Sequence, residues 1–337
     1  VATGKCGTNA TWSLDASGCL TIRGTGAMWD GSWNSTPGGW DKTIVKTVVI
    51  EEGITRIGDF AFNGCSNLTE VEISEGVTSI GRYVFYGCTG LTSVKIPESV
   101  TSIGGSAFSG CSQLTSIQIP ESVTSIGDYA FYECSSLTSV NIPEGVTNID
   151  AYAFFGCSSL NVVAIPDSVT SISNHAFSNC SSLNSINVAS DNEYYTSQNG
   201  VLFNKNKTTL ITCPGGMAGS YTIPDSVTSI GGGAFYGCTG LTSVVIPQSV
   251  TSIDGSAFSD CTGLISVEIP ESVTSIGDYA FSGCSSLTTA NIPEGVTSIG
   301  ESAFSDCTSL TAVNIPEGVT SIGESAFSDC SSLTTVN

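Results

Sequence analysis

Along most of this chain, apolar side chains return at fixed places in a 23-residue cycle. One cycle runs through Cys111, Leu114, Ile117, Ile119, Val123, Ile126, Ala130 and Phe131, with Ser, Thr, Asn, Asp and Gly between. The columns that barely change between cycles are apolar: Leu, Val, Ile, Val, Ile, Ala, Phe, Cys. A unit this short cannot bury all of them alone. Stacked units share one continuous core, and that need for neighbours makes the chain a solenoid.

Local period then divides each cycle. Leu114, Ile117 and Ile119 end in two-residue alternation, which predicts a short strand. Pro120 removes a backbone donor and ends the strand at a corner. Val123-Thr124-Ser125-Ile126 is rich in β-branched residues and reads as a second extended stretch. Gly127 permits the next bend, and 128–134 fits one helical turn of 3₁₀ or α type. Stacked strands make a parallel sheet with ~4.8 Å between coils. The expected fold is a right-handed leucine-rich-repeat solenoid of about twelve coils.

The cysteines mark the period. Cys65, Cys88, Cys111, Cys134, Cys157 and Cys180 lie 23 apart, as do Cys238, Cys261, Cys284, Cys307 and Cys330. The gap of 58 between Cys180 and Cys238 is one period plus 35, so one repeat carries a 12-residue insertion. Stacked thiols about 5 Å apart with parallel Cβ vectors do not suit a disulfide. They are read as buried free thiols that act as small apolar side chains. Zinc-type spacing and His partners are missing, so no metal and no cofactor is expected.

Composition narrows the partners. Of 337 residues 12% are charged, acidic residues outnumber basic ones 30 to 9, and the net charge is −21. No Lys or Arg follows Lys207. Such a surface repels nucleic acid and anionic lipid. No run of 18 apolar residues exists, so no membrane insertion is expected. The start at Val1, without Met or an apolar leader, fits a removed signal peptide or a trimmed chain.

The stretch Ile119-Pro120-Glu121-Ser122-Val123-Thr124-Ser125-Ile126-Gly127-Asp128-Tyr129-Ala130-Phe131, followed by Cys134-Ser135-Ser136-Leu137, resembles the BspA-like leucine-rich repeats of bacterial surface proteins. The resemblance covers residues 44–337. It implies a secreted or bacterial cell-surface protein that binds extracellular, host or matrix proteins. Four parts follow: 1–43, a Trp-rich N-terminal β cap; 44–188, repeats; 189–222, an inserted hairpin or irregular repeat; and 223–337, repeats that stop inside a strand, as in a longer parent. The first segment holds Trp12, Trp29, Trp33 and Trp40. It reads as a cover for the first coil, with an aromatic ligand platform as the alternative. In the insertion, Val201–Phe203 and Leu210–Ile211 flank a polar turn that carries Lys205 and Lys207, either as a contact surface or as a spacer that bends the array.

Candidate chemistry is sparse. His175, the single His, occupies a column held elsewhere by Tyr129, Tyr152, Ser256 and Gly233, and Gly231-Gly232-Gly233 lacks the Lys of a phosphate loop. No enzyme is expected. Glu52, Glu75, Glu98, Glu121, Glu144, Asp167, Asp225, Glu271, Glu294 and Glu317 share one column, read as a solvated ridge, with cation binding as the alternative. The outward strand columns vary freely and make the better ligand face: Glu72, Lys95, Gln118, Asn141, Glu268, Asn291 and Asn314. A second candidate is the aromatic patch around Tyr132 and Phe155 on the turn side, suited to sugars or a protein partner. The expected function is an extracellular protein-binding or adhesion module. The alternatives are a structural stalk for other domains and a glycan-binding surface.

Overall fold

The structure, a computed structural model, describes residues 1–337 and contains about thirteen parallel turns and no helix. By internal contacts the chain forms two units, Val1–Phe177 and Ser178–Asn337.

In the first unit each coil contributes one strand to each of two parallel ladders. The first ladder stacks Thr47–Ile50, Glu70–Ile73, Ser93–Lys95, Ser116–Gln118 and Ser139–Asn141. Val71, Val94, Ile117 and Val140 stand in register and point inward. The second ladder stacks the Thr-Ser-Ile stretches, with Ile57, Ile80, Ile103, Ile126, Ile149 and Ile172 in register. The β-branched stretch therefore forms a sheet of its own, two or so residues wide. Its Thr hydroxyls explain why Thr recurs: Thr78 Oγ1 donates to Thr55 O at 3.1 Å, and Thr101 Oγ1 to Thr78 O at 3.2 Å.

The third side departs from the expected helical turn. Phe60, Phe62 and Gly64 give their N–H groups to Arg82 O, Val84 O and Tyr86 O of the next coil, at 2.9, 2.9 and 2.7 Å. The residues between them close four-residue turns instead, Ala61 N–H to Gly58 O and Asn63 N–H to Phe60 O, both at 3.3 Å. A helix keeps its N–H groups for itself. Here every second one is exported, because every coil has two left-handed residues, such as Phe60 (φ 57°) and Gly64 (φ 72°). The result is a third inter-coil ladder, made of turns.

Between these three walls lies the core. Phe62, Phe85, Phe108, Phe131, Phe154 and Phe177 stack with centroids 5.2–5.5 Å apart and planes within 20°. Burying each ring contributes about 1.5–3 kcal/mol. Beside them the thiols do more than fill space. Cys88 Sγ donates to Phe62 O at 3.2 Å, Cys111 to Phe85 O at 3.2 Å and Cys134 to Phe108 O at 3.1 Å. All 14 cysteines are free, and burial pushes the Cys65 and Cys134 thiols up to about 12.

At the start of this unit, Ala2–Lys5, Asn9–Leu14 and Cys19–Ala27 form an antiparallel sheet. The long third strand heads both ladders, pairing Leu20 with Val48 and Gly26 with Ile54. Trp40 stacks on Phe62 at 5.8 Å and continues the Phe column, with Trp12 edge-on to it at 5.8 Å. Trp12 and Trp40 are buried, whereas Trp29 and Trp33 are exposed.

The second unit repeats the plan with Gly219–Thr222, Leu241–Val245, Ser266–Glu268, Thr289–Asn291, Ala312–Asn314 and Thr335–Val336 in its first ladder. It begins differently. Tyr195–Gln198, Val201–Asn204 and Thr209–Thr212 make an antiparallel meander, turned first at Asn199-Gly200, where both φ angles are positive (52° and 80°). Its last strand joins the second ladder, pairing Leu210 with Ile230. Val201, Phe203 and Leu210 enter the core. Cys213 takes the place of a Phe: its N–H reaches Ala234 O at 2.7 Å, as Phe85 N–H reaches Ala107 O at 2.7 Å. The irregular segment thus contributes strands to both ladders.

Candidate functional site

Two faces carry the sequence-predicted residues other than Lys205 and Lys207. On the first ladder of the first unit, register sets Glu72 beside Lys95, Lys95 beside Gln118 and Gln118 beside Asn141. All four are exposed, because the residues on either side of each point inward and alternation sends these outward. A groove of about 420 Å³ runs beside Glu72 and Lys95, walled by Glu52, Glu75 and Pro97. The second unit builds the same row from Glu268, Asn291 and Asn314. Its groove, also about 420 Å³, is walled by Gln248, Glu268, Glu271 and Asn291. Carboxylates of the acidic column, Glu52 and Glu75 in one unit and Glu271 in the other, thus share walls with the variable columns. No group of three or more His, Cys, Asp or Glu converges as metal ligands would.

The turn ladder carries the other surface. Half-buried Tyr132 stacks face to face at 5.2 Å, planes 6° apart, on Phe155, which is itself buried and not part of the exposed surface. Next to them Tyr129, Tyr152 and His175 form a second stack, each step 4.8 Å, with planes 6° and 1° apart. Burial, with Glu133 nearby, raises the Tyr132 phenol above its ordinary value, and burial raises that of Tyr152. His175 is therefore a rung of an aromatic ladder, half-buried, and burial lowers its imidazole below the ordinary 6.5. Nearer the chain start, Trp33, Phe60, Tyr83 and Tyr86 form another cluster, with Trp33 centred 4.9–5.2 Å from the other three. Sequence reasoning found Tyr132 and Phe155, named Trp33 only as part of the Trp-rich first segment, and missed Phe60. The 23-residue register, carried one coil back from Tyr83, would have found Phe60.

The two lysines of the insertion serve the meander itself. Lys205 Nζ donates to Asn192 O, and Lys207 Nζ to Gln198 Oε1 at 2.8 Å. Asn192, fully buried, accepts the N–H groups of Tyr194 and Tyr195 at 2.9 and 2.8 Å. Lys205 thus clamps a buried turn, and neither lysine joins the strand rows.

These three-walled coils, with Leu, Ile, Phe and Cys in register, define a leucine-rich-repeat solenoid. The model for the BspA-type leucine-rich repeat region matches residues 40–161, 102–219 and 217–334, and the chain belongs to that family. A leucine-rich cell surface protein from Faecalibacterium prausnitzii A2-165 is 33% identical, with a TM-score of 0.85 over 100% of this chain and 95% of that one. A leucine-rich repeat protein from Eubacterium ventriosum is 31% identical, with a TM-score of 0.76 over 100% of this chain and 84% of that one. The pneumococcal vaccine antigen PcpA shares the fold at 19% identity and a TM-score of 0.67, over 99% of this chain and 87% of that one. No curated protein matches the sequence. Kinship with bacterial surface proteins of this repeat type suggests a surface or protein-interaction role. No helix is long and apolar enough to cross a membrane.

Proposed function

We propose that this chain is an adhesion module of a bacterial surface, which binds extracellular or host proteins through the outward columns of its first ladder. The observation that carries the reading is the pair of exposed, in-register rows, Glu72–Lys95–Gln118–Asn141 and Glu268–Asn291–Asn314, each beside a groove. Core columns hold their residue type from coil to coil, while these change charge and size at constant backbone. That combination makes a surface whose chemistry varies without cost to the fold. We read the surface as binding and not catalytic, since its carboxylates repeat in register and no pair stands apart from its copies. The antiparallel sheet before the first coil acts as its cover, shielding the Phe column at Trp40.

The test is saturable binding of the chain to a panel of immobilised matrix proteins and glycans. A ligand should emerge from the protein half of the panel. Reversing charge with Lys95→Glu and Glu268→Lys and introducing one with Asn141→Lys should weaken it at least tenfold with the thermal midpoint held. Binding that survives all three removes the ladder face; binding to glycans alone replaces the reading.

A further inference from the structure

The aromatic ladder on the turn side of the first unit lacks one rung. The column runs Phe60, Tyr83, Ser106, Tyr129, Tyr152, His175, and every one of these residues has a left-handed backbone, φ 56–61°. The backbone keeps its register through the break: Tyr83 N–H bonds Gly105 O at 3.1 Å and Ser106 N–H bonds Asp128 O at 2.8 Å. Only the ring is missing. The adjoining column shows the same break, with Ser109 between Tyr86 and Tyr132.

The two rings that flank the gap are already fixed from behind. Tyr83 rests on Phe60 at 4.7 Å with planes 13° apart, and Tyr129 on Tyr152 at 4.8 Å with planes 6° apart. Two coil steps separate them, about 10 Å along the stack. One flat ring placed midway would meet each wall at about the spacing of the existing rungs. The space is real: a cavity of about 440 Å³ is lined by both Tyr83 and Tyr129, by the buried Ser106 between them in the column, and by Arg82, Asp128 and Asp150. Arg82 lies over the Tyr83 ring, its guanidinium carbon 5.6 Å from the centroid. Gly105 is part of the lining, and a Cβ there would be tight, 3.2 Å from Asp128 O and 3.9 Å from Arg82 Nε.

We propose that this slot binds an aromatic side chain of a partner polypeptide, with a basic residue beside that ring. The ring completes the stack between Tyr83 and Tyr129. Flatness favours it over a sugar, because the neighbouring rungs leave the thickness of one planar ring. The basic neighbour follows from the lining, where two carboxylates outnumber one guanidinium on a chain of net charge −21. A cation beside Asp150 also relieves a carboxyl that burial and Asp128 both push up. This inference deepens the protein-binding reading by giving the turn face a ligand chemistry of its own.

The experiment uses the full chain and three probes: acetyl-Tyr-Lys-amide, acetyl-Ala-Lys-amide and methyl N-acetylglucosaminide, followed by NMR shift changes and line broadening. Ser106→Tyr supplies the missing rung from within. Tyr at this φ is already present at Tyr83, Tyr129 and Tyr152. The expected result is saturable binding of the Tyr-Lys probe. It should be at least tenfold weaker with the Ala-Lys probe and with the Ser106→Tyr chain, whose thermal midpoint is unchanged or higher. Tyr129→Ser, which removes one wall, should weaken it likewise, and Asp150→Asn should lower affinity severalfold. Binding that survives Ser106→Tyr, or a sugar that binds where the peptide does not, overturns the slot. Neither result touches the ladder-face reading, which rests on Lys95, Asn141 and Glu268. Conversely, slot binding that persists while those three variants leave the protein panel unaffected overturns the ladder face alone.

Discussion

The two units stack the same three walls and the same Phe column, yet their turn faces differ. In the first unit the left-handed column reads Phe60, Tyr83, Ser106, Tyr129, Tyr152, His175; in the second it reads Gly233, Ser256, Tyr279, Ser302, Ser325, with φ 50–65° throughout. A left-handed conformation costs a non-glycine residue roughly 1–2 kcal/mol. In the first unit, stacked rings return about 0.5–1.5 kcal/mol per pair. In the second, Tyr279 has no ring on either side and instead donates its hydroxyl to Glu301 Oε1 at 2.8 Å. The backbone therefore comes from exported N–H groups and not from the side chain in the column. Freed from that duty, the column can carry a surface property, and only the first unit uses it to stack aromatics.

If the core is common property, its largest effects should not distinguish the units. Phe131 and Phe281 are fully buried, each between two Phe neighbours at 5.0–5.4 Å. Phe131→Ala and Phe281→Ala should each cost about 3–5 kcal/mol in urea unfolding of their own unit. A gap of more than ~2 kcal/mol between the two would show that equal contacts hide unequal packing.

A smaller effect sharpens the contrast at the other left-handed position, just before each Cys. It holds Gly64, Gly87, Gly110 and Gly156 in the first unit with Glu133 as exception, but Asp260, Asp306 and Asp329 in much of the second. Asp tolerates this conformation better than Glu, since its short side chain bonds locally. Glu133→Gly should therefore stabilise its unit by about 1 kcal/mol, and Asp260→Gly by less, read as shifts in urea midpoint at constant slope. Equal gains would mean that Asp has no advantage here.

That position also shows what could be read from the chain and what could not. The columns Leu, Val, Ile, Phe and Cys were legible because burial holds them constant, and they alone define the coil, both extended stretches and the outward rows. The turn was misread. Asp128 through Cys134 reads as one helical turn, and only the choice of hydrogen-bond partner rules a helix out. Gly recurring one place before Cys, at Gly64, Gly87, Gly110 and Gly156, was the available sign of a left-handed residue. The thiol bond to a Phe carbonyl was invisible, since buried Cys looks the same whether or not it donates. For the candidate site, alternation placed Glu72, Lys95, Gln118 and Asn141 on one face correctly. Their grooves were not legible, because a groove depends on side-chain heights along several coils. Lys205 and Lys207 looked like free charges only because their acceptors, Asn192 O and Gln198 Oε1, lie 13 and 9 residues away in a turn with no repeat to predict it.

The smallest effect belongs to the single histidine, which exists in the first unit only. Burial against Tyr152 disfavours the imidazolium and lowers His175 below its ordinary 6.5. The unfolded chain takes up a proton as pH falls through 6.5, while the folded chain does so only at lower pH. Stability should therefore decline as pH falls below about 6.5, and level off once the folded imidazole is protonated. His175→Tyr keeps a ring on the stack and removes the titration, so its urea midpoint should be flat between pH 7.5 and 5.5 where the parent falls. Asp150, raised above 3.8 by burial and by Asp128, works in the opposite direction at lower pH: the folded carboxyl takes its proton first and regains stability. A parent chain whose midpoint is already flat from pH 7.5 to 5.5 would mean that His175 is solvated as an open rung, and that the ladder ends at Tyr152.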